Sequence, residues 1–541
     1  MCVLKKPTAG RRQSIALAFV ASLSDRVISL LSNLLLLPLV ISVLPSDRTG
    51  LWLVLAAAPT LLGVVDFGLM PSILRHIALI RGKSLDASSP SNSAAKTASK
   101  DIANAIHTAR WLYGLISVAM AMTAALLCGW WVAGLGVVGL SSEETRTIAM
   151  VFAVQIGGLT MSQFGNSVLL GLGEVASVST MQATVRGIGL AFKLGLILWR
   201  PSLIGLIIVE AGCCWTLALW SHQSARRNAI LGGYYRGGRW CRQTLTRVAP
   251  IAARTWLTCL AAFLTSRTDQ FFVAAAIGIH VVPLYQSAWL LIQNIGAVAL
   301  MIPRISMPKL SLLWGAGNHK QVRQSTFESL DLAMVPTIGG SIALVMAGPS
   351  LFELWLGPNH FVGTAVLTVM VVTLIAETHC TVFGLSVRSM GQEPFARVTW
   401  IAAGLNLGLT SVLVGPFGLL GVAAATLVAQ SLTNNWYIVR TAYQLLGIGW
   451  ERHWADHLRW YLQLGVLIGG PLALLSHFQT TGRIATLDAT FWCFICFAWS
   501  SVVCLTHLGV RYGRQVVMQC ENNLRWGDGS ISTTGLPQSD G

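Results

Sequence analysis

The chain has 541 residues, of which 54% are hydrophobic and only 11% are charged, and its mean hydropathy is +0.64. Soluble globular domains carry about 25% charged residues, so this composition excludes a soluble protein. The net charge of +16 is spread over short connections between apolar runs, which argues against nucleic-acid binding. Because those runs are continuous rather than alternating, an outer-membrane β-barrel is also excluded.

Apolar runs long enough to cross a bilayer recur along the whole chain. The predicted fold class is therefore all-α, a polytopic membrane protein with about fourteen transmembrane helices. The basic N-terminus resembles a signal peptide, but the apolar stretch after it continues to Leu44, which predicts an uncleaved first helix. The predicted spans, numbered 1 to 14, are residues 13–44, 50–80, 106–134, 147–170, 176–199, 202–221, 249–276, 281–303, 329–356, 361–386, 395–414, 417–440, 457–477 and 488–510.

The basic residues between the spans predict the topology. With both termini in the cytoplasm, 28 Lys and Arg residues fall in cytoplasmic segments, 4 fall in outer connections, and 5 lie within spans. This asymmetry follows the positive-inside rule and predicts a multi-pass protein of the bacterial plasma (inner) membrane. The outer connections are short and leave no room for a catalytic domain, so the chain is predicted not to be an enzyme.

Two segments of the chain are similar at an offset of about 213 to 218 residues, or six predicted spans. Residues 173–205 contain Lys193-Leu-Gly-Leu, and residues 391–421 contain Asn406-Leu-Gly-Leu, each followed by a proline. An even-numbered repeat predicts two six-helix lobes related by pseudo-twofold symmetry, which suits alternating access. The predicted domains are an N-lobe (1–221, with a cytoplasmic linker at 81–105), a basic cytoplasmic loop (222–248), a C-lobe (249–440), helices 13 and 14 (441–510) and a cytoplasmic tail (511–541).

Three segments resemble one transporter family. Residues 49–77, TGLWLVLAAAPTLLGVVDFGLMPSILRHI, are similar to the second helix of the polysaccharide transporter family, with an aromatic start, an Asp-Phe-Gly-Leu core and a closing Arg. Residues 415–433 resemble the twelfth helix of that family, and residues 354–361 (LWLGPNHF) resemble the end of its ninth. The family belongs to the multidrug/oligosaccharidyl-lipid/polysaccharide (MOP) exporter superfamily, some members of which, including the lipid II flippases, also have helices 13 and 14.

This resemblance implies a function and its partners. It implies that the chain flips an undecaprenyl-diphosphate-linked oligosaccharide from the cytoplasmic to the outer leaflet during polysaccharide biosynthesis. Membrane lipid and the proteins that assemble lipopolysaccharide or exopolysaccharide are the implied partners, with a proton or sodium as coupling ion.

Nine charged side chains lie well inside the predicted spans, away from their ends: Asp25, Arg26, Asp66, Arg186, Lys193, Glu210, Arg267, Asp269 and Glu377. Each costs about 2.5–3.5 kcal/mol at the bilayer centre, so together they predict a hydrated interior. Several share a polar helix face, as Ser29 and Asn33 do with Arg26 in span 1. Arginine binds phosphate oxygens through a planar fork and lysine as a point charge, so a cationic central cavity would suit a diphosphate group. The predicted substrate-binding residues are Arg26, Asn33, Arg186, Lys193, Arg254 and Arg267.

Three acidic residues in the spans have two interpretations each. Asp66, Asp269 and Glu377 either couple transport to an ion or have a structural role. In the structural interpretation, Asp66 pairs with Arg26 and Asp269 with Arg267. In the coupling interpretation, the histidine two residues after Glu377 completes a proton relay.

No catalytic constellation, cofactor motif or metal-ligand spacing is found in the sequence. The glycine-rich stretch 134–139 ends an apolar helix and follows no strand, so it is not a dinucleotide fingerprint. Two alternative functions are a proton- or sodium-coupled multidrug exporter of the same superfamily and a membrane saccharide polymerase or ligase. The exporter would depend on acidic cavity residues, whereas the polymerase or ligase would need a large outer loop that the short connections do not provide.

Overall fold

The computed structural model describes residues 24–57 except 26, 30 and 33; 66–86; 92–134; 140–231; 238–449 except 267, 316, 391 and 393; 457–481; and 487–525. Regular structure in these ranges is helical, without strands. The helices are α1 (Val27–Val43), α2 (Ser46–Ala56), α3 (Leu69–Asp86), α4 (Asn92–Gly134), α5 (Ser142–Gly171), α6 (Val175–Trp199), α7 (Leu203–Leu231), α8 (Arg242–Ser266), α9 (Asp269–Phe272), α10 (Val282–Ala299), α11 (Met301–Gly315), α12 (His319–Leu356), α13 (Thr364–Ser389), α14 (Ala396–Leu432), α15 (Asn434–Leu446), α16 (Arg459–Thr480) and α17 (Ala489–Arg525).

The outer surface of the helix bundle is apolar. Along α4, Leu115, Met122 and Leu126 form one face of the helix and are 63–75% exposed. An apolar stripe of this size is stable against lipid chains rather than against water. Ten helices in the described ranges are long and apolar enough to cross a membrane. The protein is therefore a multi-pass membrane protein, and the all-α prediction is confirmed.

The ten long helices are consistent with the fourteen predicted spans. One of the ten, Ala396–Leu446, includes both span 11 and span 12. Span 1 corresponds to the shorter α1. The described residues of span 2 include parts of α2 and α3, and span 8 is divided between α10 and α11. Span 7 ends in the short α9, followed by a π-helical turn over Val273–Ile277.

The chain reverses direction inside α14. Gly418 has a non-helical backbone (φ 55°, ψ −131°), and Pro416 lies two residues before it. The hydroxyl of Thr426 lies 3.1 Å from Oδ1 of Asn406, although a straight helix would separate residues 20 positions apart by about 30 Å. Spans 11 and 12 therefore form an antiparallel hairpin that turns near Gly418.

Spans 13 and 14 pack on the second half of the chain. α17 lies along α12, and α16 contacts both of these helices. The fully buried Asp331 of α12 accepts a hydrogen bond from the Tyr461 hydroxyl at 3.0 Å, and Nδ1 of His457 lies 3.1 Å from the same carboxylate. A buried carboxylate with two partners on one helix fixes how that helix is rotated.

Helices extend across two of the predicted segment boundaries. The predicted linker at 81–105 is mostly helical, because α3 continues to Asp86 and α4 begins at Asn92. Its alanines favour a helix, and they outweigh the serines that suggested a linker. The predicted tail from residue 511 also begins inside a helix, since α17 continues to Arg525.

Successive spans alternate in direction, so the connections fall on two faces. We call the face with the connections between spans 2 and 3, 6 and 7, and 8 and 9 the basic face, since Lys and Arg are concentrated there. The face with the short connections, including the turn at Gly418, is the opposite face.

Candidate functional site

A cavity of about 550 Å³ lies between the first two spans, the hairpin of spans 5 and 6, and spans 7 and 8. It contains polar side chains from all of these elements except span 2, set among aliphatic and tryptophan side chains. A cavity of this size and mixed lining is typical of a small-molecule or headgroup site. The polar residues of the lining are Ser29, Ser32, Arg186, Lys193, Glu210, Asp269, Gln270, Tyr285, Gln286 and Gln293.

Arg186 lies on the cavity wall and forms an ion pair with the first span. Its Nη1 donates to the Asp25 carboxylate at 3.0 Å, and the Arg186 side chain remains 48% exposed. The partner is 161 residues earlier in the chain, so the pair joins α6 to span 1. The guanidinium retains donors that face the open space.

Lys193 lies seven residues further along α6 on the same wall. Its ammonium donates to Glu210 of α7, and the side chains are 14% and 26% exposed. Both residues line the cavity, so this pair is a charged patch on the hairpin of spans 5 and 6.

Asp269, on the far wall, is held by neutral groups instead. Its Oδ2 accepts from the Tyr285 hydroxyl at 2.8 Å and lies 3.2 Å from the Thr426 hydroxyl. Asn406 extends this network, because its Nδ2 donates to the Thr265 carbonyl oxygen at 3.0 Å. Asp269 is 6% exposed and borders the cavity, whereas Asn406 is fully buried, so the network extends from the cavity wall into the helix packing behind it.

Asp66 does not lie on the cavity. Its two carboxylate oxygens accept from the Tyr113 hydroxyl at 2.7 Å and from the backbone N–H of Met70 at 2.8 Å. Phe67 and Gly68 both have positive φ, which separates α3 from the first half of span 2. A Cβ on Gly68 would lie 2.4 Å from the Ala252 carbonyl oxygen, so only glycine permits this contact with α8. Asp66 thus anchors a break in span 2.

The remaining predicted site residues either do not line the cavity or lie outside the described residues. Glu377 accepts a hydrogen bond from Gln430 Nε2, between spans 10 and 12, and is not part of the cavity lining. Arg254 is exposed on α8 and is also outside that lining. Arg26, Asn33 and Arg267 lie outside the described residues, and so do the proposed pairings with Arg26 and Arg267.

Contacts near the opposite face bring the start of span 2 against span 8. Gly50 approaches the Ile279 carbonyl oxygen so closely that a Cβ would lie 2.0 Å from it. Asp47 Oδ1 lies 3.9 Å from Nδ1 of His280. With the contact of Gly68 on α8, the first and second halves of the chain touch on both sides of the cavity.

Sequence reasoning missed several lining residues. Gln286, Trp289 and Gln293 follow a helical spacing of three and four, which could have identified a polar face on span 8. The carboxylate partners Asp25 and Glu210 were identified only as charges within spans, because their pairings depend on how neighbouring helices are rotated.

The sequence matches no protein-family model and has no significant match among curated proteins. Its fold, however, is that of MOP-superfamily transporters. A structure described as lipid II flippase MurJ in the inward closed conformation superimposes with a TM-score of 0.67 and 13% identity, over 93% of this chain and 100% of that one.

Two further solved structures share this fold. An inward-facing multidrug resistance MATE family transporter of the MOP superfamily matches with a TM-score of 0.61 and 14% identity, over 78% of this chain and 98% of that one. A MOP superfamily transporter from Pyrococcus furiosus, described as having a binding pocket of reverse polarity, matches with a TM-score of 0.55 and 14% identity, over 81% and 97%. These likenesses establish the fold, and all three proteins are named as transporters or flippases rather than enzymes.

Proposed function

We propose that this protein is a flippase that moves an undecaprenyl-diphosphate-linked oligosaccharide across the bacterial plasma membrane for polysaccharide biosynthesis. The basic face is cytoplasmic in this proposal, with both termini on that side, and the substrate moves toward the opposite face. The cavity accepts the diphosphate and the first sugars, while the lipid tail stays in the bilayer.

The observation that carries this proposal is the pair of cations on one wall of the cavity. Arg186 and Lys193 are seven residues apart on α6, so they present two positive charges along one helix face. Both side chains are long, so from positions two helical turns apart they can converge on one diphosphate, with the arginine able to bind two oxygens at once. The amides of Gln286 and Gln293 supply donors and acceptors for sugar hydroxyls.

The carboxylates that hold these cations do not prevent substrate binding. An ion pair with solvent access contributes about 0.2–1 kcal/mol, and Arg186 is 48% exposed. The Arg186–Asp25 bond is also charge-assisted, so a diphosphate would displace Asp25 by supplying more negative charge and more acceptor oxygens than one carboxylate does. The carboxylates keep the empty cavity close to neutral, and the substrate takes their place.

Alternating access between two lobes, 1–221 and 249–440, would move the headgroup. The lobes would separate at one face while remaining in contact at the other. The close contacts of Gly50 with Ile279 and of Gly68 with Ala252 lie on different sides of the cavity, so each is a suitable gate.

The test is a leaflet-accessibility assay of labelled undecaprenyl-diphosphate-linked saccharide in proteoliposomes. We expect Arg186→Gln and Lys193→Gln each to weaken apparent substrate affinity about 10- to 100-fold, which corresponds to the loss of one charged hydrogen bond. Arg200→Gln is the matched control, since Arg200 is an exposed arginine at the end of the same helix. Equal flipping by wild type, Arg186→Gln and Lys193→Gln would overturn the proposal.

The proposed sidedness has its own test. Cys241 lies on the basic face, where a hydrogen bond from the Thr244 backbone N–H lowers the pKa of its thiol below the ordinary value. In a variant that retains only this cysteine, we expect an impermeant maleimide to label inside-out vesicles and not intact spheroplasts. Labelling of spheroplasts alone would place the basic face outside.

A multidrug exporter is the second candidate, and the carboxylates Asp25, Glu210 and Asp269 near the cavity favour it. The two functions predict opposite effects of Glu210→Gln. Neutralising Glu210 frees Lys193 and should maintain or improve flipping of a diphosphate lipid, whereas it should abolish export of a cationic drug. Ethidium efflux and lipid flipping by the same variant therefore discriminate between the two.

A further inference from the structure

A second, smaller cavity of about 220 Å³ lies near the basic face, away from the central cavity. It lies between α4, α5, α7 and the segment that leads into α8. Its lining residues differ from those of the central cavity, and none of them carries a carboxylate. They are Ala103, Ile106, His107, Arg110, Phe164, His222, Ala225, Arg226 and Gly238.

The lining is rich in nitrogen groups from two helices. His107 and Arg110 are on one face of α4, and His222 and Arg226 are on one face of α7, so four basic side chains converge. Nδ1 of His107 and Nδ1 of His222 are both buried, and neither has a hydrogen-bond partner among the residues that the structure describes. A buried imidazole nitrogen without a partner costs about 1–3 kcal/mol, which a bound ligand would recover.

Hydrogen bonds and close packing hold the walls of this cavity in place. The backbone N–H of Arg239 donates to Asn104 Oδ1 at 2.9 Å, and the N–H of Cys241 donates to Thr108 Oγ1 at 3.1 Å. These bonds hold the segment before α8 against α4. At Gly238 a Cβ would lie 2.5 Å from the Ala103 carbonyl oxygen, so this wall requires glycine. Phe164 packs on the His222 ring with centroids 5.3 Å apart, which fixes that imidazole.

We propose that this cavity binds a phosphate group, either on an acidic phospholipid or as a free anion. Four basic side chains from two helices surround the space, which suits the several oxygens of a phosphate better than the two of a carboxylate. A water molecule occupies about 30 Å³, so the volume accommodates a phosphate with some of its water. Arg110 is the fifth residue of predicted span 3 and Arg226 lies five residues beyond predicted span 6, so both are close to the basic-face ends of their spans, near lipid headgroups.

The experiment measures binding to purified, delipidated wild-type protein, so it does not depend on any flipping activity. Native mass spectrometry detects adducts of a short-chain phosphatidylglycerol, and isothermal titration detects sodium phosphate. Short-chain phosphatidylcholine is the zwitterionic comparison. We expect phosphatidylglycerol binding that Arg110→Gln and His222→Gln each weaken about tenfold or more, since each variant removes one polar contact with the anion.

Arg227→Gln is the matched control. Arg227 follows Arg226 on α7, is exposed and does not line the cavity, so its loss should leave binding unchanged. Binding of both anions assigns the site to the phosphate group itself. Binding of phosphatidylglycerol alone assigns it to lipid, and binding of phosphate alone assigns it to a soluble anion.

Two results would overturn the proposal. One is that neither anion binds to the wild-type protein. The other is that binding falls equally in Arg110→Gln and Arg227→Gln, which would indicate general attraction to a basic surface. Thermal unfolding of each variant shows whether it folds, and Arg110→Lys, which retains the charge, should bind more tightly than Arg110→Gln.

Discussion

The hairpins of spans 5 and 6 and of spans 11 and 12 are related by the repeat in the sequence, but their chemistry differs. Lys193 and Asn406 are equivalent in the repeat, and each bonds across its own hairpin. In the first hairpin the partner is Glu210, and the pair is charged and faces the cavity. In the second the partner is Thr426, and the pair is neutral and supports the buried Asp269.

The equivalent residues Lys193 and Asn406 therefore suit two different roles. A charged pair next to water can exchange partners at low cost, so it can serve a moving anionic ligand. A buried hydrogen-bond network is costly to disturb, so it holds helices in place. The first hairpin is therefore suited to binding and the second to structure, and measurements on the two can test that division.

The largest effect is expected in the second hairpin's network. Asp269→Ala leaves the buried Tyr285 hydroxyl without this acceptor, which costs about 1–3 kcal/mol, and it removes one bond of Thr426, worth about 0.5–1.5 kcal/mol, although that hydroxyl keeps Asn406 Oδ1 as an acceptor. We expect the free energy of unfolding in mixed micelles to fall by roughly 2–5 kcal/mol. Asp269→Asn, which retains an acceptor oxygen, is the control. An Asp269→Ala variant as stable as wild type would show that this network is not structural.

A smaller effect should separate the hairpins by their response to salt. Double-mutant cycles of Lys193→Gln with Glu210→Gln, and of Asn406→Ala with Thr426→Val, should each give a coupling energy of roughly 0.5–3 kcal/mol. Salt screens charges that water reaches, so only the Lys193–Glu210 coupling should weaken as ionic strength rises. Equal salt dependence in both cycles would remove the distinction between them.

The smallest change in stability is expected for Arg186 and Asp25, the most exposed of these pairs. Arg186→Gln and Asp25→Asn should each change the free energy of unfolding by less than about 1 kcal/mol, because Arg186 is 48% exposed. The same Arg186→Gln variant should still lose substrate affinity, so stability and transport separate at this residue. A loss of several kcal/mol would instead mean that the pair is a structural clamp.

Much of the fold could be predicted from the sequence. The length of each apolar run reflects the thickness of the bilayer, and the distribution of basic residues reflects the orientation of the spans. Both signals can be seen in the sequence of a span and its flanking residues. The breaks were not predicted, since Asp66–Gly68 bends span 2 through a contact with Ala252, 184 residues later. A local pattern does not contain such a contact.

The candidate site was only partly predictable for a similar reason. Helical spacing placed Arg186 and Lys193 on one face of span 5, and both do line the central cavity. Their partners, and the Asp269 network with Tyr285, depend on the rotation of neighbouring helices, which periodicity does not define. Glu377 accepts a hydrogen bond from Gln430 on another span, a partner that the sequence pattern does not indicate.

The reversal near Gly418 also makes this part of the chain suitable for inserting an epitope. The bond between Asn406 and Thr426 joins the two arms well below the bend, so a short polar tag placed between Phe417 and Gly418 need not disturb the helices that carry it. The bend lies in one of the short connections of the opposite face, so it is a suitable attachment point for a label that reports on that side of the membrane.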